Sequence, residues 1–116
     1  MTAKRQEHRR PLAISWSHRA RNDLIAIGEY IAADNPSAAG RWIERLISAV
    51  ERASRLPLSG RIVPEYSDRQ DLREVLVRNY RIVYRVGPHT LEVLTIFEGH
   101  RLFPPEVLPE NDDSTG

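Results

Sequence analysis

Between residues 72 and 101 apolar and polar positions alternate with the two-residue period of β-structure, and the stretch reads as three consecutive antiparallel strands. Tyr80, Ile82, Tyr84 and Val86 fall on one face, and Arg81, Val83 and Arg85 on the other. Gly87-Pro88-His89-Thr90 supplies a turn, and residues 91–98 return with the same alternation. Pairing Val86 with Leu91 sets Tyr84 opposite Val93, Ile82 opposite Thr95 and Tyr80 opposite Phe97. The second face then carries Arg85 opposite Glu92, Val83 opposite Leu94 and Arg81 opposite Ile96. A slip of one residue would drive the arginines into the core, so the register is well specified. One face is almost wholly apolar and requires a cover. The other mixes arginines with aliphatics and is expected to lie open.

The cover comes from the N-terminal half. Residues 12–16 are short and apolar, end at Ser17, a good N-cap, and are taken as a strand that enters the sheet. Ala20, Leu24, Ile27 and Ile31 then follow helical spacing until Asp34-Asn35-Pro36 interrupts it, with Asn35 as cap and Pro36 as first residue of the next helix. Ala39, Trp42, Ile43, Leu46, Ile47, Val50 and Ala53 make a wide apolar stripe, which Leu56-Pro57 ends. Two amphipathic helices joined this tightly lie antiparallel and pack as a hairpin on the apolar sheet face. Residues 61–65 are extended but confined to a sheet margin by Pro64. Residues 72–77 form the next strand, reversed by Arg78-Asn79, with Arg73 opposite Tyr84. The fold class is therefore α+β: an N-terminal strand and a helical hairpin on a twisted, mainly antiparallel sheet.

At 116 residues the chain holds one core, taken as residues 12–105. Residues 1–11 are expected to be a basic flexible tail of charge +3, and residues 106–116 an acidic disordered tail of −4. The net charge of +1 is not that of a dedicated DNA-coating protein. With no cysteine, there is neither a disulfide framework nor a thiolate metal site. No apolar run approaches the roughly 20 residues of a membrane span, and no segment of signal-peptide type opens the chain, so a cytoplasmic protein without membrane contact is expected.

Candidate chemistry is sparse. The four histidines, at 8, 18, 89 and 100, lack metal-ligand spacing, and neither a metal nor a cofactor is expected. His100-Arg101 follows the last strand directly. A histidine there could take a proton from a ribose hydroxyl while the arginine holds a phosphate; the simpler alternative is a solvated strand end. Arg81 and Arg85 could likewise bind phosphate, but pairing of Arg85 with Glu92, and of Arg81 with the diagonal Glu98, accounts for them more simply. Val83, Leu94 and Ile96 between them form a stripe of the kind that a protein partner covers. Arg81, Val83, Arg85, Leu94 and Ile96 are accordingly the expected partner-binding residues.

Several short motifs, in order, carry a family resemblance: Asp34-Asn35-Pro36, Gly60-Arg61 with Pro64-Glu65, Arg73-Glu74, Tyr80-Arg81 with Tyr84-Arg85, and His100-Arg101. Over about residues 12–105 the chain resembles the RelE/ParE superfamily of toxins from type II toxin–antitoxin pairs. The resemblance implies a cognate antitoxin as partner, with any DNA binding left to the antitoxin. It also implies one of two targets. ParE-like members poison DNA gyrase, whereas RelE-like members cut mRNA on the ribosome with a cluster of basic residues. The sole lysine, Lys4, lies in the basic tail, so a lysine-rich cleavage site is absent. A RelE-like action would have to use Arg73, Arg81, His100 and Arg101. The ParE-like action is the expectation, and mRNA cleavage the alternative.

Overall fold

In the computed structural model, which describes residues 10–108, a five-stranded sheet carries two helices on one face. Strand β1 (Ala13–Trp16) leads into helices α1 (His18–Asp34) and α2 (Pro36–Arg55), and strands β2 (Arg61–Ile62), β3 (Leu72–Val77), β4 (Tyr80–Val86) and β5 (Thr90–Glu98) follow. Their order across the sheet is β1-β5-β4-β3-β2, with β1 parallel to β5 and the other pairs antiparallel. Single 3-10 turns, Pro57–Ser59 and Pro64–Tyr66, flank β2.

The helix ends follow from their capping residues. The Ser17 hydroxyl accepts from the Ala20 amide at 3.0 Å and opens α1. Asn35 serves both helices: its amide donates to the Ile31 carbonyl, and its side-chain oxygen accepts from the Ala38 amide. Pro36, whose missing N–H costs nothing at a helix start, begins α2. The apolar stripe of α2 packs Leu46, Val50 and Ala53 onto Ile82, Tyr84, Leu91 and Val93, all buried in one cluster. Tyr84 lies at the bottom of this layer, its hydroxyl donating to the Pro57 carbonyl at 2.9 Å, and burial pushes its pKa up to about 12.

The β4–β5 register agrees with the sequence expectation from Val86↔Leu91 to Tyr84↔Val93 and then changes. An irregularity between Val83 and Tyr84 shifts the pairing by one residue, so Val83 faces Thr95, Ile82 faces Ile96, Arg81 faces Phe97 and Tyr80 faces Glu98. Alternation beyond it is inverted. Ile96 joins the helix-side cluster, and Phe97, expected there, lies on the opposite face. Pairing with β1 stops at Val93, and α1 takes over the strand's polar groups from that point. Ser17 donates its hydroxyl to the Leu94 carbonyl at 3.0 Å. Asp23 accepts from the Ile96 amide at 3.0 Å and from the Thr95 hydroxyl at 2.6 Å.

The second face is not open. Val63, Leu72, Val83, Leu94, Phe97 and Leu108 form a second buried cluster, with Tyr66, Phe103 and Val107 packed against it. Residues 102–108 cross this face as an irregular strap. Val107 and Leu108, expected in the acidic tail from residue 106, lie on this face because their apolar side chains find a surface to cover. Residues 109–116, like residues 1–9 of the expected basic tail, lie outside the described residues.

Candidate functional site

Arg81 shows best how the sequence places charge. It projects from β4 onto the second face beside Glu74 of β3, and only 8% of its side chain is exposed. Its Nε donates to Glu74 Oε1 at 2.8 Å, and its two terminal nitrogens grip Glu65 at 3.0 and 2.7 Å. Arg61 donates to the second oxygen of Glu74, whose side chain is wholly buried. The Arg81 guanidinium also lies 4.9 Å from the Phe97 ring centroid and 5.9 Å from that of Phe103. Hydrogen bonding to Arg81 holds the Glu65 carboxyl below its usual range, and the two carboxylates in turn raise the arginine's pKa. The partner expected for Arg81, Glu98, is not the one it has.

The four residues of the expected basic cluster do not converge. Arg73 stands directly across from Tyr84, on the helix side of the sheet, whereas Arg81 is on the other side. The Arg73 guanidinium is spent on chain-turning carbonyls, donating to Gln70, Leu58 and Gly60 at 2.9, 3.3 and 3.2 Å. His100 and Arg101 sit beyond the end of β5 with side chains 74% and 69% exposed, each about 3.5 Å from the same Glu98 oxygen (3.7 and 3.4 Å). His100 and Arg101 thus face Glu98, Arg81 faces Glu65 and Glu74, and Arg73 lies on the opposite side of the sheet.

The expected partner-binding stripe is also rearranged. Val83 (0%), Ile96 (2%) and Leu94 (6%) are buried, the first and last beneath the strap and Ile96 beneath α1 and α2. Arg81 is enclosed by its carboxylates. Only Arg85 keeps the predicted arrangement, donating to Glu92 at 2.8 Å while half-buried. Two things bury the stripe: the register shift moves Ile96 to the helix side, and the strap supplies a cover that alternation alone does not reveal.

One opening was not foreseen. A groove of about 590 Å³ runs between α1 and the strap, lined by Arg19, Asp23 and Tyr30 on one wall, Arg101 and Glu106 on the other, and Tyr80 at its base. Arg19 spans it, 3.6 Å from both Asp23 and Glu106. Its walls hold both signs of charge and two phenols, which suits a protein surface better than a phosphate chain. The exposed Tyr30, on a helix whose neighbouring Ile25 is also exposed, was the available sequence signal, because neither fits the buried stripe of α1. Among the described residues no three His, Cys, Asp or Glu side chains gather to hold a metal, and no helix is long and apolar enough to cross a membrane.

A helical hairpin laid on one face of a mixed five-stranded sheet defines the class, and comparison with known proteins narrows it. Residues 14–103 match the family described as ParE toxin of type II toxin-antitoxin system, parDE. The Y4kP protein of Sinorhizobium fredii is 34% identical over 93 residues, 78% of this chain and 92% of that one. Toxin RelE2 of Caulobacter vibrioides is 34% identical over 90 residues, 77% of this chain and 97% of that one. Among solved structures, the chromosomal ParDE toxin–antitoxin system of P. aeruginosa superimposes with a TM-score of 0.63 at 19% identity, covering 75% of this chain and 95% of that one. The RelBE2 toxin–antitoxin complex of Mycobacterium tuberculosis gives a TM-score of 0.55 at 22% identity, covering 79% and 95%. The chain belongs to the ParE toxin family. It is a toxin of a type II toxin–antitoxin system.

Proposed function

We propose that this toxin stops growth by poisoning DNA gyrase and is neutralised by a cognate antitoxin. The observation that carries the choice of target is the state of Arg81. An arginine that neutralises a cleaved phosphate must present its guanidinium to the substrate, and here Glu65 and Glu74 occupy it. Arg73 lies across the sheet on the other face, and His100 and Arg101 share one carboxylate in open solvent. The RelE-like alternative would need all four to meet. The antitoxin is supported by the solved proteins of similar fold, one a ParDE system and the other a complex of toxin with antitoxin.

Inducing the chain without its antitoxin tests both parts. Filamentation and a DNA-damage response with intact mRNA, reversed by co-expression of the antitoxin, are expected. Transcripts cut within translated codons, with the cutting abolished by His100→Ala or Arg101→Ala, would transfer the chain to the ribosome-dependent nucleases.

A further inference from the structure

Turned away from the sheet, α2 carries a row of charge that the fold does not use. Arg41, Arg45, Ser48, Arg52 and Arg55 follow offsets of 0, 4, 7, 11 and 14, and all five are exposed. At 3.6 residues per turn they keep within about 40° of one line along the helix. The buried Leu46, Ala49, Val50 and Ala53 lie on the opposite side. At 1.5 Å per residue the row is about 21 Å long.

Elsewhere Arg61, Arg81, Arg85 and Arg101 each meet a carboxylate. Among the described residues, none of the four arginines in the row does. Glu44 and Glu51 stand on the flank of the row, yet Arg55 donates to the backbone carbonyl of Glu51, at 3.4 Å. Arg41 donates to the Ser37 carbonyl at 3.3 Å, and the Arg45 guanidinium lies 5.1 Å from the Trp42 ring centroid. These ties aim the groups and leave most of the five N–H donors of each for another acceptor. The helix dipole favours Arg52 and Arg55 in the last turn, but offers nothing to Arg41 and Arg45 in the first half. Like charges four residues apart, as these two are, destabilise a helix. The row therefore opposes the stability of α2 without any return inside the chain.

A straight row of unpaired guanidinium groups on a packed helix is complementary to a regular polyanion. We propose that the outer face of α2 binds the phosphate backbone of duplex DNA. Contacts of this kind carry no sequence preference. A single strand would be held by stacking its bases on aromatic rings, and Trp42, beside the row, is half-buried with Arg45 over it. The toxin thereby has a DNA contact of its own, where the family resemblance alone leaves DNA to the antitoxin. In the cell the duplex is the segment held by gyrase, a consequence that rests on the gyrase reading above.

The test compares the full wild-type chain with one carrying Arg41→Gln, Arg45→Gln and Arg52→Gln, exposed positions at which glutamine keeps the helix propensity. Anisotropy of a labelled mixed-sequence DNA duplex is followed from about 50 to 200 mM salt. Each phosphate contact adds about 0.9 to the slope of log affinity against log salt, so the triple variant should lose about 2.7. Lys4, Arg5, Arg9 and Arg10 are the same in both chains, and the difference isolates the helix. Equal slopes, no binding by the wild-type chain at the lowest salt, or tighter binding of duplex RNA or polyglutamate than of duplex DNA would overturn the proposal. If the triple variant does not melt cooperatively, Arg41→Gln alone replaces it, with an expected loss of about 0.9. With gyrase and plasmid, the triple variant should need at least about ten-fold more protein than wild type to accumulate cleaved DNA. Undiminished poisoning by that variant would refute the DNA contact and leave the gyrase reading standing. A wild-type chain that binds duplex through this row but never poisons gyrase would sink the gyrase reading and support the contact.

Discussion

Replacing Arg81 by methionine removes the charge that binds Glu65 and Glu74 while leaving a side chain of similar reach. Glu74 is then a wholly buried carboxylate with one remaining partner, Arg61, whose own side chain is 54% exposed. Breaking a buried ion pair by deleting one member costs roughly 3–5 kcal/mol. Because Arg61 persists, and Glu65 at 39% exposure is readily rehydrated, the low end of about 3 kcal/mol applies. At roughly 4–8 °C per kcal/mol for a domain near this size, the midpoint should fall by about 12–24 °C. Glu74→Leu together with Arg81→Met leaves no buried charge there, and its stability should lie within about 1 kcal/mol of wild type. Urea and thermal unfolding of the two single variants and the double variant give the coupling directly. A single-variant cost below about 1 kcal/mol, or additive effects, would refute the role given to this network. The double variant carries a second consequence. With the fold restored it should still arrest growth, whereas a folded but harmless double variant would mean that Arg81 acts on the target itself.

Three further outcomes follow from the same contacts. Arg81 lowers the Glu65 pKa and Arg69 lowers that of Asp71, so the stability these pairs contribute is present above the ordinary carboxylate values of 4.5 and 3.8 and is lost as pH falls through the depressed ones. Denaturant midpoints measured downward from pH 6 should decline below about pH 4.5, and less steeply for Arg81→Met, which has already lost the Glu65 contribution. Asp23→Ala strips the acceptor from the Ile96 amide and the Thr95 hydroxyl, and equilibrium unfolding should show a loss of about 2–3 kcal/mol. Gly60→Ala would press a methyl into the Tyr84 hydroxyl and to 2.9 Å from the Glu74 carbonyl, costing about 1–3 kcal/mol; relief of that cost in a Gly60→Ala, Tyr84→Phe chain would identify the hydroxyl as the obstacle.

The helical hairpin was legible because caps and stripe agree: Ser17, Asn35 and Pro36 mark its boundaries, and Leu46, Val50 and Ala53 mark its buried face. The strand order from β3 to β5 was legible from alternation. The register past Val93 was not, since one extra residue in β5 inverts every later side chain, and its cause is tertiary: Ser17, the N-cap of α1, and Asp23 within α1 supply the partners for Leu94 and Ile96. This is why Ile96 and Phe97 exchanged faces. The acidic partners of Arg81 were hidden for a related reason. Glu74 reaches it from the neighbouring strand and Glu65 from a 3-10 turn 16 residues away, neither within reach of local spacing rules. The strap was invisible because Pro104 and Pro105 read as the end of order, although the side chains around them are apolar enough to pack.

The claim that this toxin acts through a protein target, with Arg73 and Arg81 committed to its own architecture, meets its most direct test in a supercoiling reaction. Purified chain is added to DNA gyrase, ATP and relaxed plasmid, with the antitoxin-bound form as control. Loss of supercoiling with accumulation of cleaved plasmid, both abolished by the antitoxin, is the expected result. Undisturbed supercoiling at concentrations at which the same preparation cuts mRNA on translating ribosomes would contradict it.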